Sequence, residues 1–150
     1  IDAIAGGLVL ALCCDRRIAA DAPFQAGLTE VRVGIPYPVA AIEVVRAELP
    51  PRVARELVLF GRNMPQAAAT AAGVFDEAVE PDALLERAVA DATTLAAIPR
   101  IGFVKIKRQL RRIPRERILA ALAGDEPLYG DWLSQETLAA AAAVLNARGG

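Results

Sequence analysis

The sequence predicts an α/β fold, and three observations carry that prediction. In the first 80 residues, short β-branched segments bounded by glycine or proline alternate with segments of helical periodicity. From residue 82 onward the apolar positions recur at three- and four-residue intervals, with no strand-like stretch between them. Hydrophobic residues make up 55% of the 150, enough to bury a core in a chain of about one domain's length. An all-α fold is the second choice, because only the first half carries strand signals.

Taken in order, "IAGGLVLALCC" (4–14) is uncharged and predicts a short buried helix over 6–14. It falls well short of the ~20 apolar residues that a bilayer span needs. Gly6 and Gly7 open that helix although glycine is costly in one, so the pair marks backbone that something approaches closely, or else tight helix–strand packing. Cys13 and Cys14 read as small core residues with no activating base, and neighbours in a helix cannot readily bridge each other. Two cysteines make no disulfide framework, so a reducing, cytoplasmic location is expected.

"RRIAADAPFQAG" (16–27) breaks into two short extended pieces around Asp21 and Pro23, with Asp15 and Asp21 organising local backbone. "EVRVGIP" (30–36) alternates apolar and charged residues and predicts a strand stopped by Gly34 and Pro36. Val39, Ile42, Val45 and Leu49 then form a helical stripe that Pro50 and Pro51 interrupt. A helix over 52–61 ends at glycine, and Pro65 opens an alanine-rich helix that closes at Gly73. "VFDEAVE" (74–80) predicts a strand.

Leu84, Leu85, Ala88, Val89, Ala92 and Leu95 place an amphipathic helix over 82–98, ended before Pro99. Two or three further helices fill 100–147, and the alanines of "LAAAAAVL" (138–145) favour the last of them.

Seventeen basic and eighteen acidic residues give a net charge of -1, so the field of a dedicated nucleic-acid binder is missing, and neither a nucleic-acid nor a membrane partner is expected. The absence of histidine excludes histidine triads, imidazole bases and imidazole zinc sites, and no metal is expected. Chemistry must therefore rest on carboxylates, hydroxyls or backbone groups. One local basic run, "KIKRQLRRIPRER" (105–117), sets seven cations against Glu116. Most of it reads as the solvated face of a helix that turns Ile101, Val104 and Ile113 inward. The chain opens on Ile1 in what reads as the middle of an element, with no charged segment before the apolar run, so it is expected to be a piece of a longer protein.

"AIAGGLVLALCCDRRIAAD" (3–21), followed by "GLTEVRVGIPYP" (27–38) and "RVARELVLFGRNMPQAAATAAGVFDEAV" (52–79), resembles the crotonase, or enoyl-CoA hydratase/isomerase, superfamily. The resemblance implies a β-spiral core, incomplete at its N-terminus, with 1–80 as the later part of the spiral. It implies that 81–150 form a helical region serving oligomerisation and the acyl pocket, in homotrimers or dimers of trimers. The implied substrate is an acyl-CoA thioester, with coenzyme A part of the substrate and no separate cofactor. In family members, preceding residues supply much of the CoA cleft and one of two oxyanion amides.

By the same resemblance, Gly6 is the oxyanion-hole donor, Gly7 lets the substrate approach, and the helix behind them adds its positive end. Hydratases of the family use two glutamates, and Val9 stands where the first is found. Glu30, in "GLTE", matches the second and looks most like the "GLNE" version of single-glutamate members such as Δ3,Δ2-enoyl-CoA isomerases. One carboxylate suffices to take a proton from C2 and return it at C4, whereas syn addition of water normally needs two. Leu28, Val31 and Ile35 are expected to give Glu30 an apolar surround. Val9 and Leu28 are expected at the substrate, and Lys105 or Lys107 at a phosphate of coenzyme A. The alternatives are hydration or another CoA-ester reaction on the same scaffold, or a noncatalytic acyl-CoA-binding oligomer.

Overall fold

Strand β3 (Gln25–Gly27) is the centre of the first half of the molecule. It pairs in parallel with β1 (Ala3–Ile4) on one side and antiparallel with β4 (Met64–Pro65) on the other. A second, two-stranded sheet pairs β2 (Ile18–Ala20) in parallel with β5 (Glu77–Val79). Parallel neighbours require crossover connections, and helices supply them: α1 (Gly6–Leu12), α2 (Val39–Glu48), α3 (Pro51–Val58) and α4 (Gln66–Ala71). The rest is helical: α5 (Leu84–Ala96), α6 (Arg100–Leu110), α7 (Arg112–Ala123) and α8 (Gln135–Arg148). This computed structural model describes residues 2–124 and 134–148. The mixed first half and helical second half match the α/β expectation.

The core forms where the apolar stripes of α1, α2 and α3 meet the sheet residues. Leu8, Leu12, Leu28, Val45, Leu57 and Val74 are fully buried there, each adding about 1.5–3 kcal/mol relative to an exposed side chain. Phe24 and Phe75 meet edge to face, ring centroids 5.5 Å apart, and tie the two sheets together.

Three expectations need correction. Residues 30–33 form a 3₁₀ turn rather than a strand, because Arg32 N–H bonds to Thr29 O and Gly34 N–H to Val31 O. Gly34 then takes a left-handed φ of 69° and reverses the chain before an edge can pair. Cys13 and Cys14 are exposed, since α1 buries the i, i+4 pair Leu8 and Leu12 and ends there. Ile101 and Ile113 do not turn inward. Among the described residues, α5, α6 and α7 bury no side chain, and Ile101 is 75% exposed.

The packing of α7 on α2, together with ion pairs, holds this half in place. Arg117 of α7 reaches the buried Glu43 of α2 at 3.1 Å, and Arg111 bridges Asp15 and Glu48 at 3.1 and 3.2 Å. Arg16 bonds to Asp91 and Glu77, and Arg87 pairs with the same two acids, pinning α5 to the β2–β5 sheet. These arginines draw Glu77 and Asp91 below the usual carboxylate range, their hydrogen bonds outweighing the cost of desolvation. No helix among the described residues is long and apolar enough to cross a membrane.

Candidate active site

The site begins where β1 ends. Ala5 N–H bonds to Gly27 O at 2.8 Å, continuing the β1–β3 pairing by one residue. Ala5 itself stands at φ 54° and ψ -129°, a turn that swings the chain from strand into α1. Its carbonyl accepts the first two helical bonds, from Leu8 N–H at 3.0 Å and Val9 N–H at 3.2 Å. The N–H groups of Gly6 and Gly7 therefore lie ahead of the first helical bond, where helix geometry offers them no acceptor. A Cβ built on either glycine would meet nothing within 4 Å, so packing within the described chain does not account for the pair. Gly27 is the opposite case, since a Cβ there would run into Asn63 Oδ1 and Ile4.

Glu30 opens the 3₁₀ turn after β3. Its own carbonyl accepts Ile35 N–H at 3.1 Å, closing the loop around Gly34. Its carboxylate Oε2 accepts a hydrogen bond from the Tyr37 hydroxyl at 2.8 Å. Burial, reinforced by that bond and by the negative charge, pushes the phenol well above its ordinary range, so Tyr37 remains a donor. Tyr37 is half-buried and packs on the core.

Glu30 and Ala5 line one cavity of about 470 Å³, together with Thr29, Ile35, Asn63 and Val144 of α8. The structure thus brings Glu30 to the same hollow as the residue that precedes Gly6, while Gly6 and Gly7 do not themselves line it. Of the three apolar neighbours expected around it, Ile35 lines the cavity, Val31 is largely exposed, and Leu28 is fully buried in the core and does not line it. Val9 is half-buried and packs against the core from α1.

The two lysines lie elsewhere. The Lys107 ammonium pairs with Asp15 and sits 6.0 Å from the Phe103 ring, on a different cavity of about 810 Å³ between the end of α1 and α5. Lys105 is exposed and lines neither cavity. Asp15, expected only to organise local backbone, joins α1 to α6 and α7 through Lys107 and Arg111.

Sequence reasoning missed Ala5, Tyr37 and Asn63. Tyr37 had a signal in "PYP", two prolines stiffening the backbone on either side of an aromatic. Ala5 had none of its own, because alanine rarely marks a left-handed residue.

A family model described as enoyl-CoA hydratase/isomerase matches residues 2–143. The mitochondrial enoyl-CoA delta isomerase 1 of Mus musculus is 29% identical over 135 residues, 89% of this chain and 47% of the mouse protein. The (E)-benzylidenesuccinyl-CoA hydratase of Thauera aromatica is 35% identical over 96 residues, 63% of this chain and 37% of its own. Among solved structures, human mitochondrial delta3-delta2-enoyl-CoA isomerase superposes with a TM-score of 0.86 at 25% identity, covering 99% of this chain and 60% of that one. An enoyl-CoA hydratase/isomerase family protein from Pseudomonas syringae gives a TM-score of 0.76 at 31% identity, covering 81% and 53%. The chain spans about half the length of the delta isomerases it matches.

Proposed function

This chain belongs to the enoyl-CoA hydratase/isomerase family, and from that premise we propose that the protein carrying it shifts a carbon–carbon double bond in an enoyl-CoA thioester. Glu30 takes the proton from C2 of a 3-enoyl substrate, the pair of electrons delocalises into the thioester as an enolate, and the proton returns at C4. The N–H of Gly6 holds the enolate oxygen, and Gly7 leaves the approach open. Coenzyme A enters as part of the substrate, with no separate cofactor.

The observation that carries this reading is the cavity shared by Glu30 and Ala5, with a valine rather than a second carboxylate at position 9. Its volume, about 470 Å³, lies in the range of small-molecule sites. Hydration is the second reading, favoured by the 35% identity to a hydratase over 96 residues. It lacks the second glutamate that ordinarily helps to place the water. Of the two lysines, Lys105 suits a phosphate better, because Lys107 is already engaged by Asp15. Leu28 supports the site from within the core rather than at the substrate. A homotrimer, or a dimer of trimers, and a reducing, cytoplasmic setting complete the proposal. The exposed apolar faces of α6 and α7 support the assembly.

The test is turnover of a 3-enoyl-CoA and hydration of a 2-enoyl-CoA by the complete protein, wild type against Glu30→Gln. Double-bond migration is expected to exceed hydration and to fall about 10²–10⁴-fold in the variant. Full activity of Glu30→Gln would remove Glu30 from the mechanism. Binding of acyl-CoA without turnover of either substrate would favour the noncatalytic acyl-CoA-binding oligomer, and failure to bind any acyl-CoA would favour a fold kept for assembly alone.

A further inference from the structure

We infer that Tyr37 is the positioning residue for Glu30: its hydroxyl, held by a proline-braced segment, fixes the carboxylate through Oε2 and leaves Oε1 to exchange the proton with substrate. The inference rests on the role proposed above for Glu30.

The 3₁₀ turn that carries Glu30 buries none of its own residues, so the turn alone anchors the carboxylate poorly. The firm point lies seven residues on. Pro36 and Pro38 each lock their own φ, and Pro38 confines Tyr37 to extended backbone. The Tyr37 side chain packs against the buried core, so its hydroxyl acts from a residue that tertiary packing holds in place. From there it donates to Glu30 Oε2 at 2.8 Å, while Gly34 and the Ile35-to-Glu30 backbone bond close the intervening loop.

Tyr37 does not line the cavity that Glu30 lines, so it acts through Glu30 and not on substrate. The division of labour follows from geometry. One carboxylate oxygen is occupied by a donor that does not give up its proton at working pH, and the other is the free base. Proton removal from carbon demands close alignment, and a base tethered at one oxygen loses less freedom on reaching it. Arg32 is the other charged side chain lining this cavity among the described residues, and it is common to every variant below.

The experiment compares wild type, Tyr37→Phe and Glu30→Gln in the complete protein, with kcat and KM for a 3-enoyl-CoA measured across pH. Tyr37→Phe removes one oxygen and keeps the ring. It is expected to lower kcat at least about tenfold while KM stays within about twofold. Site-specific O-methyltyrosine at position 37 keeps the ring and the oxygen but cannot donate, and is expected to lower kcat likewise with KM within about twofold. It also serves as the test should Tyr37→Phe not fold. An unchanged kcat in the Tyr37 variants, with Glu30→Gln inactive, would overturn the inference and leave the family reading intact. An active Glu30→Gln would instead overturn the proposed function, and this inference with it.

Discussion

Ala5 adopts a backbone conformation that costs an L side chain about 1–3 kcal/mol. The other left-handed residues, Gly34, Gly61 and Gly73, are all glycines, so Ala5 alone among the described residues carries a Cβ there. The strained turn gives the first helical acceptor to Ala5 and sets the Gly6 and Gly7 amides ahead of the helix. Replacing Ala5 by glycine relieves the strain but adds freedom to the unfolded chain worth about 0.4–1 kcal/mol. The net expectation for Ala5→Gly is a stabilisation of about 1 kcal/mol, read as a higher urea midpoint at unchanged slope. A lower midpoint would show that the turn is not strained. This residue was invisible in the sequence because its conformation runs against its preference. Glu30 stood out as a candidate from its motif, and Tyr37 only became meaningful once its hydroxyl was seen to meet that carboxylate.

Elements were legible wherever punctuation was strong: Pro50 and Pro51 separate α2 from α3, Pro65 and Gly73 bracket α4, and Pro99 separates α5 from α6. The segment 30–36 was misread because alternation in so few residues fits a period of two, while the local i+3 bonds and the Gly34 reversal that decide the turn leave no separate trace. Cross-element pairing was equally illegible, and Glu43 shows why it matters. It lies buried on α2, yet accepts bonds from Arg46 at 2.8 Å and from Arg117 of α7 at 3.1 Å. Burial alone would raise its pKa, but the two guanidinium hydrogen bonds and their charges outweigh this and hold it below the usual carboxylate range. The unfolded chain therefore binds the proton more readily, so the stability from Glu43 is present above its ordinary pKa and is lost as pH falls through the lower folded value. Both arginines are more than half exposed, and water screens the pair. Glu43→Gln is expected to cost about 1 kcal/mol at pH 7 and to flatten the decline in melting temperature on acidification below about pH 4.5. An equally steep acid decline in the variant would assign it to other carboxylates, with Glu77 and Asp91 the first to examine.

At the scale of the whole molecule, the two halves are built on different physics. The first half buries leucine, valine and phenylalanine, whereas the helices from Leu84 to Ala123 contain no fully buried side chain and are joined to the rest by the packing of α7 on α2 and by ion pairs to α1, α2 and the β2–β5 sheet. Surface ion pairs contribute only about 0–1 kcal/mol each, too little to justify exposing Ile101, Ile106, Leu110 and Leu122 to water. The helical periodicity that forecast this region was therefore right about the elements and blind to what covers their apolar faces, because a stripe of leucines and isoleucines reads the same whether its partner lies in the same chain or in another copy. Leu110 separates these cases, since at 80% exposure it has almost no packing of its own to lose within the chain. If copies of the protein cover this face, Leu110→Glu places a charge in an apolar interface and converts the expected trimer to monomer by light scattering, with the far-ultraviolet helical signal unchanged. An unchanged mass would place the assembly surface elsewhere. Loss of the helical signal in the monomer would mean that α6 and α7 need the neighbouring copy in order to fold, which would make assembly part of the folding of this chain.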